Sequence, residues 1–169
     1  RIHAFDFDVA PGHPGVFMRG DEAIVRKDDV DIAFPMANRS LLGRHNQQNA
    51  CAALAAASAI GVPPEACLRG LAAFVGLPHR FELVADDDGV LWIDDSKATN
   101  VAATVTAMAG LPGRPIHIIV GGRGKGEDYA PLYEAARGRV ACAYCIGDEG
   151  PRLFDALAGA CPVDRSDTI

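Results

Sequence analysis

Nowhere in these 169 residues is there a run of the roughly 20 apolar side chains that crosses a bilayer, and no signal peptide opens the chain. A water-soluble protein with no membrane partner is expected. Cations are scarce too: 16 Lys and Arg stand against 22 Asp and Glu, a net charge of −6. Without a basic stripe to neutralise phosphates, the composition argues against nucleic acid as a partner. Any anionic ligand must be held by a few placed cations. The five cysteines are too few and too scattered for a disulfide framework, and their odd number suits reduced thiols in a cytoplasmic protein. Cys142-x-x-Cys145 lacks a second pair and lies in an apolar run, so it reads as buried strand thiols rather than a zinc or redox site. An initiating Met is missing as well, and the first residues already look like mid-strand, which makes a fragment of a longer protein the expectation.

What is present is enough apolar material for a core, 49% of residues, rich in Ala and Gly that let helices pack closely on a sheet. Residues 1–36 hold four short strand-like pieces, at 2–7, 15–18, 23–26 and 31–34, separated by Pro/Gly or Asp-rich turns and readable as a small β meander. Two helices follow, over about 46–60 and 64–74, with Pro64 opening the second and Leu68, Leu71 and Phe74 spaced for packing. Asn46 and Asn49, three apart, share a helix face and could read a base edge; equally, Asn46 could be the N-cap and Asn49 solvated. A turn at 76–81 carries His79 and Arg80 and is a plausible domain boundary. A hairpin follows, with strands at 81–85 and 90–93 around an acidic tip that reads as a solvated loop.

From here strands alternate with helices, the pattern of a largely parallel sheet. Leu91-Trp92-Ile93-Asp94-Asp95-Ser96-Lys97-Ala98-Thr99-Asn100 is a strand, a polar turn and a helix start capped by Asn100. Such a junction gathers backbone N–H donors and favours anions; a well-capped βα turn with no ligand is an equal reading. The run 115–120 reads as a strand buried on both faces, with His117 a hydrogen-bonded core residue. It delivers Gly121-Gly122-Arg123-Gly124-Lys125-Gly126, which fits neither a P-loop nor a dinucleotide fingerprint. What remains is a glycine-lined turn presenting Lys125 at a strand end, where ligands of such sheets sit, and suited to a carboxylate or phosphate. A helix at 129–137, a strand at 139–146, a helix at 149–157 and a possible strand at 161–163 complete the chain.

Four strings occur in order: Gly43-Arg44-His45-Asn46-x-x-Asn49, Gly76-Leu77-Pro78-His79-Arg80-Phe81-Glu82, Asp94-Asp95-Ser96-Lys97-Ala98-Thr99-Asn100 and Gly121-Gly122-Arg123-Gly124-Lys125. Together they resemble the Mur ligase superfamily, well over residues 40–160 and loosely over 1–39, the third string being the narrow mark of its D-glutamate-adding branch. The resemblance implies an α/β fold: residues 1–77 as the end of a central ATP-binding domain, and 78–169 as most of a C-terminal, Rossmann-like domain with a mostly parallel sheet flanked by helices. It also implies an ATP- and Mg2+-dependent amide ligase of peptidoglycan precursor synthesis, monomeric, whose partners are small molecules: UDP-N-acetylmuramoyl-L-alanine, D-glutamate and ATP.

By the same resemblance Asn46 and Asn49 contact adenine, Asp95 the ribose hydroxyls with His79 nearby, and Arg80 the phosphates. Lys97 supports the nucleotide side, and Lys125 and Thr99 bind the carboxylates of D-glutamate. These assignments suit amide, carboxylate and guanidinium chemistry. The family's P-loop, magnesium-binding glutamate and carbamylated lysine would precede residue 1, and a serine and phenylalanine that help hold D-glutamate would follow Ile169, so no metal ligand is assigned here and the fragment alone is expected to be inactive. The turn at 75–80 would act as a hinge that closes the site against water. A folylpolyglutamate-type ligase and a non-catalytic nucleotide- or carboxylate-binding module are the alternatives.

Overall fold

The computed structural model describes residues 4–5, 15–27 and 30–166; the rest of the expected 2–7 strand and the Pro/Gly and Lys27-Asp28-Asp29 turns fall wholly or partly outside them. The chain forms two compact units, residues 1–95 and 96–169.

In the first unit, β1 (Ala4–Phe5) runs parallel to β2 (Gly15–Arg19), and β2, β3 (Glu22–Lys27) and β4 (Val30–Pro35) form an antiparallel meander. Register places Phe17 opposite Ile24, both buried, on one face of the pleat, and Val16 opposite Val25 and Ala23 opposite Phe34 on the other. That face packs on α1 (Arg44–Ala59), which contributes Ala50, Cys51, Leu54 and Ala55. On the other face Asp31 accepts both Nε (2.6 Å) and Nη2 (2.9 Å) of Arg26 and Nη2 of Arg19 (2.6 Å). These guanidinium hydrogen bonds hold its carboxyl well below the usual carboxylate range.

A single-turn 3-10 helix (Arg39–Leu41) precedes α1, and α2 (Pro64–Ala73) follows it with Pro64 in its first turn. The expected stripe of α2 is shifted: Cys67 and Leu71, four apart, meet the core, while Leu68 and Phe74 are 43% and 44% exposed. Asn38 ties the end of α2 to the 3-10 turn, its Nδ2 donating to the carbonyls of Leu71 and Phe74 at 2.7 Å each. The hairpin β5 (Glu82–Asp87) and β6 (Val90–Asp94) closes the unit.

The second unit is the α/β half. After α3 (Val101–Ala109), β7 (Ile116–Gly121), β8 (Val140–Ile146) and β9 (Val163–Ser166) form a parallel sheet in that order, connected through α4 (Ala130–Ala136) and α5 (Gly150–Leu157). Met108 of α3, Leu132 and Ala136 of α4, and Leu153 and Leu157 of α5 pack with Ala143 and Cys145 of β8 and with Ile116, Ile118 and Val120 of β7. Arg139 closes the end of α3, donating to the carbonyls of Met108 (2.9 Å) and Leu111 (2.8 Å). Cys145 is buried and Cys142 half-buried, and burial pushes the Cys145 thiol up to about 11.

Strand β7 departs from expectation. Its burial alternates, Ile119 is 68% exposed, and His117 lies on the same open side with its Nδ1 3.2 Å from the Tyr144 hydroxyl. The helices described here cover one face of this sheet only, and an unbroken apolar run cannot report which of its two faces is covered.

Leu157 is 1% exposed at the centre of the second core. Leu157→Ala should destabilise this unit by about 2–5 kcal/mol, read as a fall in the urea midpoint with little change in slope. A loss below about 1 kcal/mol would mean that the site collapses around the cavity or is not a packed core.

Candidate functional site

In the first unit the chain turns sharply between α2 and β5. His79 and Phe81 take left-handed backbone angles, φ 63° and 48°, which costs non-glycine residues about 1–3 kcal/mol each. Side-chain carboxylates hold them there. The His79 N–H donates to Glu82 Oε2 at 2.8 Å and the Phe81 N–H to Asp95 Oδ1 at 3.0 Å. The Phe81 ring is 7% exposed and meets the His45 imidazole edge-on, centroids 4.6 Å apart. His45 Nδ1 is buried and has no hydrogen-bond partner among the described residues. Burial lowers the His45 pKa, and the Asp95 carboxylate opposes that shift.

The nucleotide-side residues expected in this unit fall around this turn and the start of α1. Asn46 is inside the helix rather than its N-cap, a role that Gly43 takes, and its Nδ2 donates to the Leu42 carbonyl at 2.9 Å. The shift arises because Arg44 and His45 already have helical geometry, so the helix begins two residues before Asn46. Asn49 is exposed one turn on, and Asp95 is half-buried with Oδ1 on the Phe81 N–H. Arg80 is exposed and, among the described residues, forms no ion pair. His79 Nδ1 lies 2.8 Å from Asp94 Oδ2. His79, Glu82 and Asp94 present ligand atoms within 4.8 Å of one another, a set able to hold a divalent cation, although hydrogen bonds to His79 already occupy both carboxylates.

In the second unit the site lies at the carboxyl ends of β7 and β8, whose loops are stitched together. The Gly122 N–H donates to the Ile146 carbonyl at 3.3 Å and the Glu149 N–H to the Gly122 carbonyl at 3.0 Å. The glycines serve close approach: a Cβ at Gly121 would fall 2.0 Å from the Ile146 carbonyl oxygen, and one at Gly124 only 1.7 Å from Glu149 Oε2. This loop presents Lys125, whose Nζ donates to the Thr99 carbonyl (3.1 Å) and hydroxyl (3.4 Å). Thr99 and Lys125, 26 residues apart, are thus brought together.

The start of α3 is already occupied. Asn100 Oδ1 accepts the Ala103 N–H at 2.8 Å, as expected of the cap, and Glu127 Oε2 accepts the Val101 N–H at 2.8 Å. Lys97 is exposed and, among the described residues, forms no ion pair. Sequence reasoning passed over His45, Glu82, Glu127 and Glu149. His45 and Glu82 stand inside two of the four strings and Glu127 and Glu149 outside them, and each is marked only by what the fold sets against it.

A parallel α/β sheet with a cation at its strand ends thus follows, along the chain, a unit whose helix start and tight turn carry amide, imidazole, guanidinium and carboxylate groups. Residues 79–167 match the family described as "Mur ligase, glutamate ligase domain", and the chain belongs to that family. It is 44% identical over 162 residues to the UDP-N-acetylmuramoylalanine--D-glutamate ligase of Hahella chejuensis, covering 94% of this chain and 36% of that protein. It is 47% identical over 114 residues to the enzyme of the same name from Escherichia coli, covering 67% and 26%. The matched part of the chain therefore spans between about a quarter and a little over a third of the length of these relatives. Among solved structures, MurF from Acinetobacter baumannii shares the fold at TM-score 0.58 and 21% identity, over 96% of this chain and 37% of its own. E. coli FolC in complex with ADP does so at 0.62 and 22%, over 90% and 37%. No helix among the described residues is long and apolar enough to cross a membrane.

His45 supplies a test of the first-unit geometry. Its imidazole should titrate below the ordinary value of about 6.5, so the stability it contributes is complete above that pH and is lost as the pH falls below it. Asp95→Asn should lower the midpoint further, because the carboxylate raises it. A midpoint that moves up in the variant, followed by NMR, would contradict the arrangement.

Proposed function

We propose that a protein carrying this chain is an ATP-dependent ligase that joins the amine of D-glutamate to the carboxylate of UDP-N-acetylmuramoyl-L-alanine. The observation that carries the reading is the Lys125 ammonium seated on Thr99 at the strand ends, in a chain whose relatives bear that ligase's name. Lys125 and the Thr99 hydroxyl bind the carboxylates of D-glutamate; the ammonium gives up hydrogen bonds to one neutral residue and gains charge-assisted ones. The fit asks for little rearrangement, since no carboxylate of the described residues is paired with Lys125.

On the nucleotide side, Asn46 and Asn49 face the adenine, the second oxygen of Asp95 accepts a ribose hydroxyl with His79 beside it, Arg80 binds phosphate, and Lys97 supports the nucleotide side. Each group present suits its assigned partner: an exposed guanidinium for phosphate, and a carboxylate whose other oxygen is fixed by the Phe81 N–H. ATP, with Mg2+, supplies the phosphoryl group that turns the substrate carboxylate into an acyl phosphate, whose carbonyl carbon the amine then attacks with loss of phosphate. The work of these residues is orientation and charge stabilisation. We place the division between the ATP-binding part and the glutamate-binding part at 77/78, where the family match begins close by. The P-loop and the magnesium ligands are assigned to the portion of the relatives' length outside these residues, and the cytoplasm is the compartment where such precursors are assembled.

The test is an amide-ligation assay on the full-length ligase that carries this chain, with ATP, Mg2+ and UDP-N-acetylmuramoyl-L-alanine, offering D-glutamate, L-glutamate, L-lysine and meso-diaminopimelate in turn. Product should form with D-glutamate alone. Lys125→Ala should cut kcat/KM for D-glutamate by about 100-fold, the loss of roughly 2–3 kcal/mol of charge-assisted hydrogen bonding. Ligation of another amino acid would overturn the substrate, and no ligation of any would overturn the activity.

A further inference from the structure

Glu149 is the one acidic side chain among the described residues that the fold buries, at 9% exposure, and it lies beneath the loop that presents Lys125. Its carboxylate is held from two sides. Oε1 accepts the Tyr129 hydroxyl at 2.9 Å and pairs with Arg152 one turn along α5. Oε2 fills the space beside Gly124, where even a methyl group would fall 1.7 Å away. The Glu149 main chain meets the same loop, its N–H donating to the Gly122 carbonyl at 3.0 Å. Glu149 is also the N-cap residue of α5, where a negative charge is favoured by the helix dipole. Burial and the anionic neighbour raise the Tyr129 pKa, which keeps its hydroxyl protonated as the donor.

We propose that Glu149 is the positioning residue of the Lys125 site: its buried carboxylate is the floor on which residues 122–125 rest, and so sets where the ammonium meets the acceptor's carboxylate. The inference rests on the reading of Lys125 and Thr99 as the acceptor-binding pair. Three contacts constrain the loop. The sheet-end hydrogen bonds fix residues 121–122, Glu127 is anchored on the first N–H of α3, and between them Gly124 has Glu149 beneath it. Residue 125 lies in the span between Gly124 and the Glu127 anchor. Removing the floor leaves Lys125 tethered at both ends but free to sag between them, and a small displacement of a positioning group weakens binding and orientation steeply. Glu149 touches no substrate in this scheme, so its effect must appear as acceptor affinity.

Kinetics on the full-length ligase carrying this chain separate the outcomes. Glu149→Ala should raise KM for D-glutamate about tenfold, with KM for ATP within twofold of wild type. Glu149→Gln keeps the volume and an acceptor for Tyr129, and should stay within about threefold. Gly124→Ala alone should mimic Glu149→Ala, because its methyl group displaces the carboxylate. Added to Glu149→Ala it should recover part of the lost affinity, since the methyl group then occupies vacated space, a non-additivity expected only of groups in contact. Hydrogen exchange provides a readout independent of turnover: amides of 121–126 should lose protection in Glu149→Ala at least fivefold while those of Val140–Ile146 keep theirs. Should Lys125→Ala leave the D-glutamate KM unchanged, the reading of the site and this inference both fall. An impaired Lys125→Ala beside a Glu149→Ala with wild-type KM and exchange would overturn the positioning role alone. Equal rises in both KM values, or protection lost throughout the sheet, would assign Glu149 to general stability and overturn it as well.

Discussion

The second unit depends on a contact that leaves no room for a side chain. Where β7 ends, the backbone of Gly121 lies so close to the Ile146 carbonyl that a Cβ would fall 2.0 Å from its oxygen. Two parallel strands must therefore release their loops in nearly the same place. Parallel sheets gather their strand ends in this way by construction, and here glycine lets the gathered loops touch. Once they touch, the Gly122 main chain hydrogen-bonds across the seam in both directions, its N–H donating to the Ile146 carbonyl and its carbonyl accepting the Glu149 N–H. The loop that follows is then short of freedom, although its glycine content suggests the opposite.

The first unit solves a related problem by other means. Its tight turn puts His79 and Phe81 in the left-handed region without glycine's help, and the strain is balanced by carboxylates that take the N–H groups the turn leaves unpaired. Asp95 is central because it serves two structures at once. One oxygen fixes the Phe81 backbone, and its charge reaches the half-buried His45 ring packed on Phe81. Replacing it by an apolar residue would orphan a backbone donor as well as remove a charge.

Much of this was legible in the sequence, and what was not has physical reasons. Short strand-like pieces between Pro/Gly or Asp-rich turns announced the meander, and the alternation of strand and helix patterns announced the parallel sheet. Asn100 was identifiable as a cap because a short polar side chain just before an apolar-periodic run has few other uses. The Gly-rich string fits no nucleotide fingerprint, yet its glycines could not be assigned to close packing, since the Ile146 carbonyl and Glu149 carboxylate they approach are more than 20 residues away. His117 and Ile119 illustrate the opposite failure: one-face and two-face burial give the same apolar run, and only the placement of α3, α4 and α5 decides between them. The start of α1 was misjudged because Gly43 caps it without a side chain, while Asn46, the better-looking cap, bonds back to Leu42 from inside the helix.

A chain with a net charge of −6 is an unpromising place to hold the phosphates and carboxylates of the proposed reaction, and the arrangement of its acids decides which cations are left for them. Asp95, Glu82 and Glu127 each accept a backbone N–H, and Asp31 is taken by two arginines on the far face of the meander. Acids used in this way do not neutralise the cations nearby. Lys125 rests on a neutral threonine, and Arg80 and Lys97 stand exposed without carboxylate partners among the described residues. Had Glu127 reached the neighbouring ammonium instead of the start of α3, the ammonium would arrive at an anionic ligand already paired, and breaking that pair would subtract from binding. The overall charge thus says little about the site, because where each carboxylate finds its hydrogen bond decides which cations remain for a ligand.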